Sequence, residues 1–197
     1  MPRDGAGHLR LFFAIPLAEE LRDRGCELQR ELAATGAKVK WVERDNQHMT
    51  LKFVGETPHD RLPALCEVGR TVAAAVPGFD LSVRGVGCFR SGGLPRTIWT
   101  GVAQAPLALS ELAGALDTAL AQAGLAEPEK RRFSAHFTLG RVKSRHHGEQ
   151  LLAAIEGLCD AEVGPMRVRS FALMSSELTP GGPVYTEQAA FELQGGA

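Results

Sequence analysis

Cysteine is sparse in this chain of 197 residues, and its placement excludes several functions. Cys26, Cys66, Cys88 and Cys159 are scattered with no Cys-x-x-Cys pair, so the spacing suggests neither a zinc site nor a disulfide framework. Four reduced thiols in a cytoplasmic protein are expected. Long apolar runs are missing too: none approaches the ~18–20 residues that cross a bilayer. The stretch "LRLFFAIPL" is short, contains Arg10, meets Pro16 and is followed by Glu19-Glu20, which fits neither a signal peptide nor a membrane anchor. An excess of one charge is likewise absent. Lys and Arg total 22 against 23 Asp and Glu, a net charge of −1, so bulk charge gives no argument for nucleic-acid binding. No low-complexity segment or long linker divides the chain.

What remains is ordinary for a globular protein, with 44% hydrophobic and 23% charged residues. The length suits one domain, or two lobes sharing a core, and can bury that core without metals or disulfides. A short unordered tail is expected over 1–8, and a single bilobal domain over 9–197. "LRLFFAI" (9–15) reads as a buried strand. Pro16 opens a helix with Leu17, Leu21, Leu28 and Leu32 on one face, ended by Gly36. "KVKWV" (38–42) and "HMTLKFV" (48–54) read as strands, the second closed by Gly55. A second helix covers about 58–75. Strands at 79–89 and 96–103 form a hairpin around "RSGGLP". A helix over 105–124, a strand over 136–142, a helix over 148–159 and a strand pair over 163–178 and 183–193 complete the chain. Strands joined by short turns imply antiparallel pairs with helices on one face. The expectation is an α+β fold of two similar lobes.

One tetrapeptide pattern occurs twice. His48-Met49-Thr50-Leu51 and His136-Phe137-Thr138-Leu139 each begin a predicted strand. Residues two apart on a strand share a face. His48 and Thr50 therefore face one way and Met49, Leu51 and Phe53 the other; His136 and Thr138 repeat the arrangement against Phe137 and Leu139. If the lobes face each other, two imidazoles and two hydroxyls line one cleft. Histidine titrates near neutrality, so one ring can take a proton while the other gives one. Threonine hydroxyls can donate to phosphate oxygens. The set suits acid–base cleavage of a phosphodiester. Zinc is the competing reading, but a catalytic zinc usually needs a third protein ligand, and the sequence points to none. A single such histidine would be read as structural; an identical pair argues for chemistry.

Charge gathers beside the second motif. Lys130, Arg131, Arg132, Arg141, Lys143 and Arg145 make that region locally basic, which suits a phosphate-bearing substrate. Strict alternation would turn Arg141 away from Thr138, but a bulge at Gly140 would bring it inward. His146 and His147 are read as surface residues. His8 and His59 suggest no role.

With these residues in view, the chain resembles the two-histidine (2H) phosphoesterases, and more closely the bacterial and archaeal RNA 2′,3′-cyclic phosphodiesterases, historically called 2′-5′ RNA ligases. The resemblance runs through "LRLFFAIPL", "VKWVERDNQHMTLKFVGET", "CFRSGGLPRTIWTGV", "RRFSAHFTLGRV" and "LMSSELTPGGPVYTEQAAFEL", in that order. It implies a bilobal α+β fold whose two antiparallel sheets form a V-shaped cleft, with helices outside. It implies His48 and His136 as the catalytic pair, Thr50, Thr138 and Arg141 as phosphate ligands, and no metal or other cofactor. The implied reaction is hydrolysis of RNA or nucleoside 2′,3′-cyclic phosphate to a 2′-phosphate, with reverse 2′-5′ ligation of tRNA halves as a secondary activity. Because the 3′-oxygen leaves, His48 is assigned as the acid and His136 as the base. Phe12 is a candidate for stacking on a base, with Arg132 and Tyr185 as rim candidates. A monomer is expected. The alternatives are a relative acting on ADP-ribose cyclic phosphate or 2′-5′ oligoadenylate, and a non-catalytic RNA-end binder.

Overall fold

The opening apolar run forms strand β1, His8–Pro16, and five consecutive residues in it, Leu11 to Ile15, are buried. The computed structural model describes residues 7–179 and 182–194. Of the tail expected over 1–8, residues 1–6 lie outside the described residues, and His8 already belongs to β1. Helix α1, Glu19–Ala33, buries Leu21, Leu28 and Leu32, and two glutamates in its first turn oppose the helix dipole. Strands β2, Val39–Trp41, and β3, His48–Pro58, follow. Then come α2 (Leu62–Ala75), β4 (Phe79–Ser91), β5 (Leu94–Ala103), α3 (Leu107–Gln122), β6 (His136–Val142), α4 (Gly148–Gly157), β7 (Glu162–Val168), β8 (Ser170–Thr179) and β9 (Gly182–Glu192).

The strands form two antiparallel sheets. One has the order β3-β1-β8-β9, the other β2-β6-β5-β4-β7. The expected α+β architecture is therefore present, with one His-x-Thr strand in each sheet. The sheets are not, however, the two halves of the chain. Strand β2, from the first half, borders β6 in the five-stranded sheet, while β8 and β9, from the second half, complete the sheet of β1. Helices cross over as well. Helix α1 leaves the four-stranded sheet and packs beside β6 and β7; α3 leaves the five-stranded sheet and packs on β3. One hydrophobic cluster accordingly joins both sheets, with Phe13, Met49, Leu81, Leu116, Phe137 and Phe171 among its members. Phe13 is fully buried, and cutting such a ring to Ala typically costs ~3–5 kcal/mol. A second cluster under α1 and α4 holds Leu28, Leu32, Ile98, Leu139, Leu151 and Ile155.

Several expected boundaries move, each for a reason of pairing. Gly55 does not close β3; it pairs with Leu11, and β1 offers a partner edge as far as Pro58. The second helix consequently starts at Leu62 rather than near 58, after a 3-10 turn over His59–Arg61. The "RSGGLP" loop shrinks to Gly92-Gly93, both at positive φ (58° and 79°), the two-residue turn that matches strand twist. The strand expected over 163–178 is two strands that part at Arg169. Its first piece pairs with β4 in one sheet, and its second with β1 and β9 in the other.

Candidate active site

Both His-x-Thr strands carry a bulge at the same place. Phe13 pairs with Lys52 and Ala14 with Thr50, which leaves Leu51 without a partner across β1. Ile98 pairs with Gly140 and Trp99 with Thr138, which leaves Leu139 without one across β5. A bulge resets the alternation of every later residue. On β6 it turns Arg141 onto the face of His136 and Thr138. The inward turn expected of Arg141 is present, but the extra residue is Leu139, not Gly140. The Leu139 carbonyl is held by the backbone N–H of Val42 (2.9 Å) and by Nε2 of the buried Gln29 on α1 (2.9 Å). On β3 the same reset corrects the placement of Phe53. It does not share the core face of Met49 and Leu51; it is 56% exposed and faces the cleft with Phe12, at 6.0 Å between ring centroids. Lys52 takes the core side instead.

The two imidazoles are held alike. Nδ1 of His48 lies 2.8 Å from the Asn46 carbonyl oxygen, and Nδ1 of His136 lies 2.7 Å from that of Ser134. A carbonyl only accepts, so each Nδ1 carries the proton and donates it. Each Nε2 is then the free, basic nitrogen. The same carbonyl supports the ring when it becomes an imidazolium. Aromatic walls hold the rings in place. Phe12 lies 5.0 Å from His48, and Tyr185 meets it edge-on at 5.1 Å. Phe89 meets His136 edge-on at 5.0 Å, with Trp99 behind at 6.4 Å. Gly87 makes room for that wall: a Cβ there would run into the Trp99 ring.

His48, Thr50, Thr138, Arg141, Phe12 and Tyr185 line one cavity of about 490 Å³. Arg10, Lys40 and Lys143 also line it, against the single carboxylate of Glu43. His136 and Arg132 open onto an adjoining groove of about 680 Å³, which shares Thr50 and Phe53 with the first cavity. Electrostatics ties the parts together. Burial pushes the His48 imidazole below its ordinary range; the Asn46 carbonyl opposes this, and the charges of Arg141 and His136 add to it. His136 is lowered by burial, opposed by the Ser134 carbonyl and reinforced by Arg141. Burial raises the Tyr185 hydroxyl, while Arg141 and Arg10 pull it down. Arg141 is thus near enough to act on all three groups. Among the described residues no group of three or more His, Cys, Asp and Glu is placed to hold a metal ion.

The family model for LigT-like phosphoesterases matches this chain twice, over residues 15–99 and 101–185, and each segment contains one His-x-Thr motif. The chain belongs to the LigT-like phosphoesterase family. A relative named RNA 2′,3′-cyclic phosphodiesterase, from Methanothermobacter thermautotrophicus, is 38% identical over 185 residues, covering 94% of this chain and 99% of its own. One of the same name from Thermotoga maritima is 32% identical over 95% of this chain and 97% of its own. The crystal structure of E. coli LigT complexed with 3′-AMP superposes with a TM-score of 0.79 at 28% identity, covering 95% of this chain and 98% of the other. The 2H phosphoesterase resemblance read from the motifs is therefore upheld.

Sequence reasoning missed part of this LigT-like site. Phe89 and Trp99 belong to the His136 wall, yet they lie on a hairpin distant in sequence. Asn46 and Ser134 act through backbone carbonyls, which no residue type announces. Lys40 and Arg10 reach the cavity from strands read only as structure.

Proposed function

We propose that this LigT-like phosphoesterase hydrolyses 2′,3′-cyclic phosphate at the end of RNA, leaving a 2′-phosphate. The observation that carries the reading is the pair of imidazoles with both Nδ1 atoms fixed by carbonyls two residues back, beside an arginine and two threonines. Thr50 and Thr138 donate hydrogen bonds to the non-bridging phosphate oxygens, and Arg141 balances their charge. His136 Nε2 takes a proton from water as the water oxygen bonds to phosphorus. The P–O3′ bond breaks, and a protonated His48 Nε2 gives its proton to O3′. This division is supported by the surroundings: His48 is enclosed by Phe12 and Tyr185, whereas His136, at the mouth of the wider groove, is the less enclosed ring and the one more open to water. Arg141 depresses both rings in the empty site. A bound phosphate anion offsets that charge and lets His48 hold its proton.

The half-buried Tyr185 supplies an aromatic surface for the terminal base; Phe12, expected to stack there, is only 3% exposed and instead backs the His48 ring. An RNA 5′-hydroxyl in place of water would give a 2′-5′ link by the same step, so tRNA halves are substrates of either outcome. The reaction needs no metal and one copy of the chain. The four cysteines are free, which suits the cytoplasm. Among the described residues no helix is long and apolar enough to cross a membrane. The test is turnover of a short RNA ending in 2′,3′-cyclic phosphate, with EDTA present. Wild type is expected to yield a 2′-phosphate end, and His48→Ala and His136→Ala each to lose at least ~10²-fold, the low range for a missing acid or base. Retained activity in either variant, or loss of wild-type activity in EDTA, would sink the two-imidazole mechanism.

A further inference from the structure

The groove beyond His136, of about 680 Å³, extends away from the cavity that holds His48 and Arg141, and its construction is specific. One wall is the segment between α3 and β6, which brings Arg131 and Arg132 to the lip. The facing wall is α3, where Ser110, Ala113 and Gly114 leave the space open; a Cβ at Gly114 would meet nothing within 4 Å. The arginine wall is fixed rather than loose. Lys52 Nζ, at the base, donates to Asp117 Oδ1 and to the Glu127 carbonyl, both at 2.6 Å. Asp117 Oδ1 also accepts the Glu129 N–H at 2.9 Å, and Phe133 packs against the core.

Charge separates these arginines from half of the others described. Arg22, Arg24, Arg44, Arg70, Arg84, Arg90 and Arg167 each pair with a carboxylate. Among the described residues Arg131 and Arg132 have no carboxylate within ion-pair distance, although both are exposed. Two acidic groups do line the groove, but both are engaged. Asp117 is neutralised by Lys52, and Glu129 Oε1 accepts the N–H groups of Lys130 and Arg131. An unspent pair of guanidiniums on an anchored wall is a preorganised site for phosphodiester anions. The groove meets the reaction cavity over Thr50 and the exposed ring of Phe53.

Building on the proposed function, we infer that this groove binds the RNA strand running 5′ from the reacting nucleotide, with Arg131 and Arg132 on its phosphodiesters. The terminal ribose and cyclic phosphate sit at the junction, and the chain leaves over Phe53 between α3 and the arginine wall. The enzyme therefore favours a cyclic phosphate on an oligonucleotide over one on a single nucleoside.

The experiment compares kcat/KM for a nucleoside 2′,3′-cyclic phosphate with that for a trinucleotide ending in one, in wild type, Arg131→Ala/Arg132→Ala and Arg61→Ala. Arg61 is an exposed arginine outside both cavities. Wild type is expected to prefer the trinucleotide, and the double variant to lower that preference by ~10-fold, the scale of losing charge-assisted bonds to a phosphate; Arg61→Ala keeps it. Affinity for the 2′-phosphorylated product trinucleotide is measured alongside, since it does not depend on turnover. Its logarithmic salt dependence should flatten by about 0.7 per phosphate contact removed. A wild type indifferent to length, or a double variant that keeps both the preference and the salt slope, overturns the groove. Absence of turnover on both substrates, with the trinucleotide still bound through Arg131 and Arg132, overturns the proposed reaction and leaves the groove standing.

Discussion

Consider Asp117→Ala. Asp117 Oδ1 is the counterion of Lys52 at 2.6 Å, and only 4% of the Lys52 side chain is exposed. Burial raises the Asp117 carboxyl, but the Lys52 ammonium and the Glu129 N–H outweigh it and hold the group below its ordinary range. Removing the carboxylate strands an ammonium in the protein interior, with the Glu127 carbonyl as its remaining partner. Breaking one side of a buried pair costs ~3–5 kcal/mol. For a urea slope of ~2–3 kcal/mol/M, that moves the unfolding midpoint down by about 1.5 M. Lys52→Met should cost less, because the abandoned Asp117 side chain is 27% exposed and reaches water. The double variant should be more stable than Asp117→Ala by at least ~2 kcal/mol, since replacing a whole buried pair with apolar groups is often close to neutral. The assay is urea unfolding of all four proteins. An Asp117→Ala midpoint within about 0.3 M of wild type, or a double variant no better than Asp117→Ala, would refute the claim that this pair anchors the wall before His136.

The depressed imidazoles set the pH response. In the free enzyme the acid limb of kcat/KM should fall below the ordinary histidine value of 6.5, and Arg141→Gln should raise it by removing a charge that acts on both rings, whereas Arg141→Lys should leave it low. Stability follows the same sign. Between the lowered folded values and 6.5 the unfolded chain binds more protons, so stability present above pH 6.5 is lost as pH falls through that window, and His48→Gln should reduce the loss in a urea series. Gly87→Ala pushes a methyl into the Trp99 ring; overpacking of this kind costs ~1–3 kcal/mol, and thermal unfolding should shift down by at least ~3 °C.

The sequence announced the paired motifs more fully than their geometry. His48, Thr50, His136 and Thr138 were legible because a repeated polar pair on alternating positions has few structural uses. The helices were legible from their leucine spacing, and α1 buries Leu21, Leu28 and Leu32 as that spacing implies. Phe53 was misplaced because alternation assumes an unbroken ladder, and a bulge at Leu51 changes parity without any marker residue. The break at Arg169 was invisible because both halves of that segment are equally good strands; only the choice of partner sheet divides them. Lys52 looked like one charged residue in an apolar run, and its partner Asp117 lies on a helix far along the chain.

The exchange of strands and helices between the two sheets bears on how the molecule can move and be divided. The sequence repeats, but the repeats are braided: β2 and α1 are lent to the five-stranded sheet, β8, β9 and α3 to the four-stranded one. A cut near residue 100 would leave each fragment with orphaned strand edges and half of a common core, so neither should fold without the other. The braid also ties the strands of His48 and His136 to one core. Their spacing is set by the same side chains that hold the protein folded.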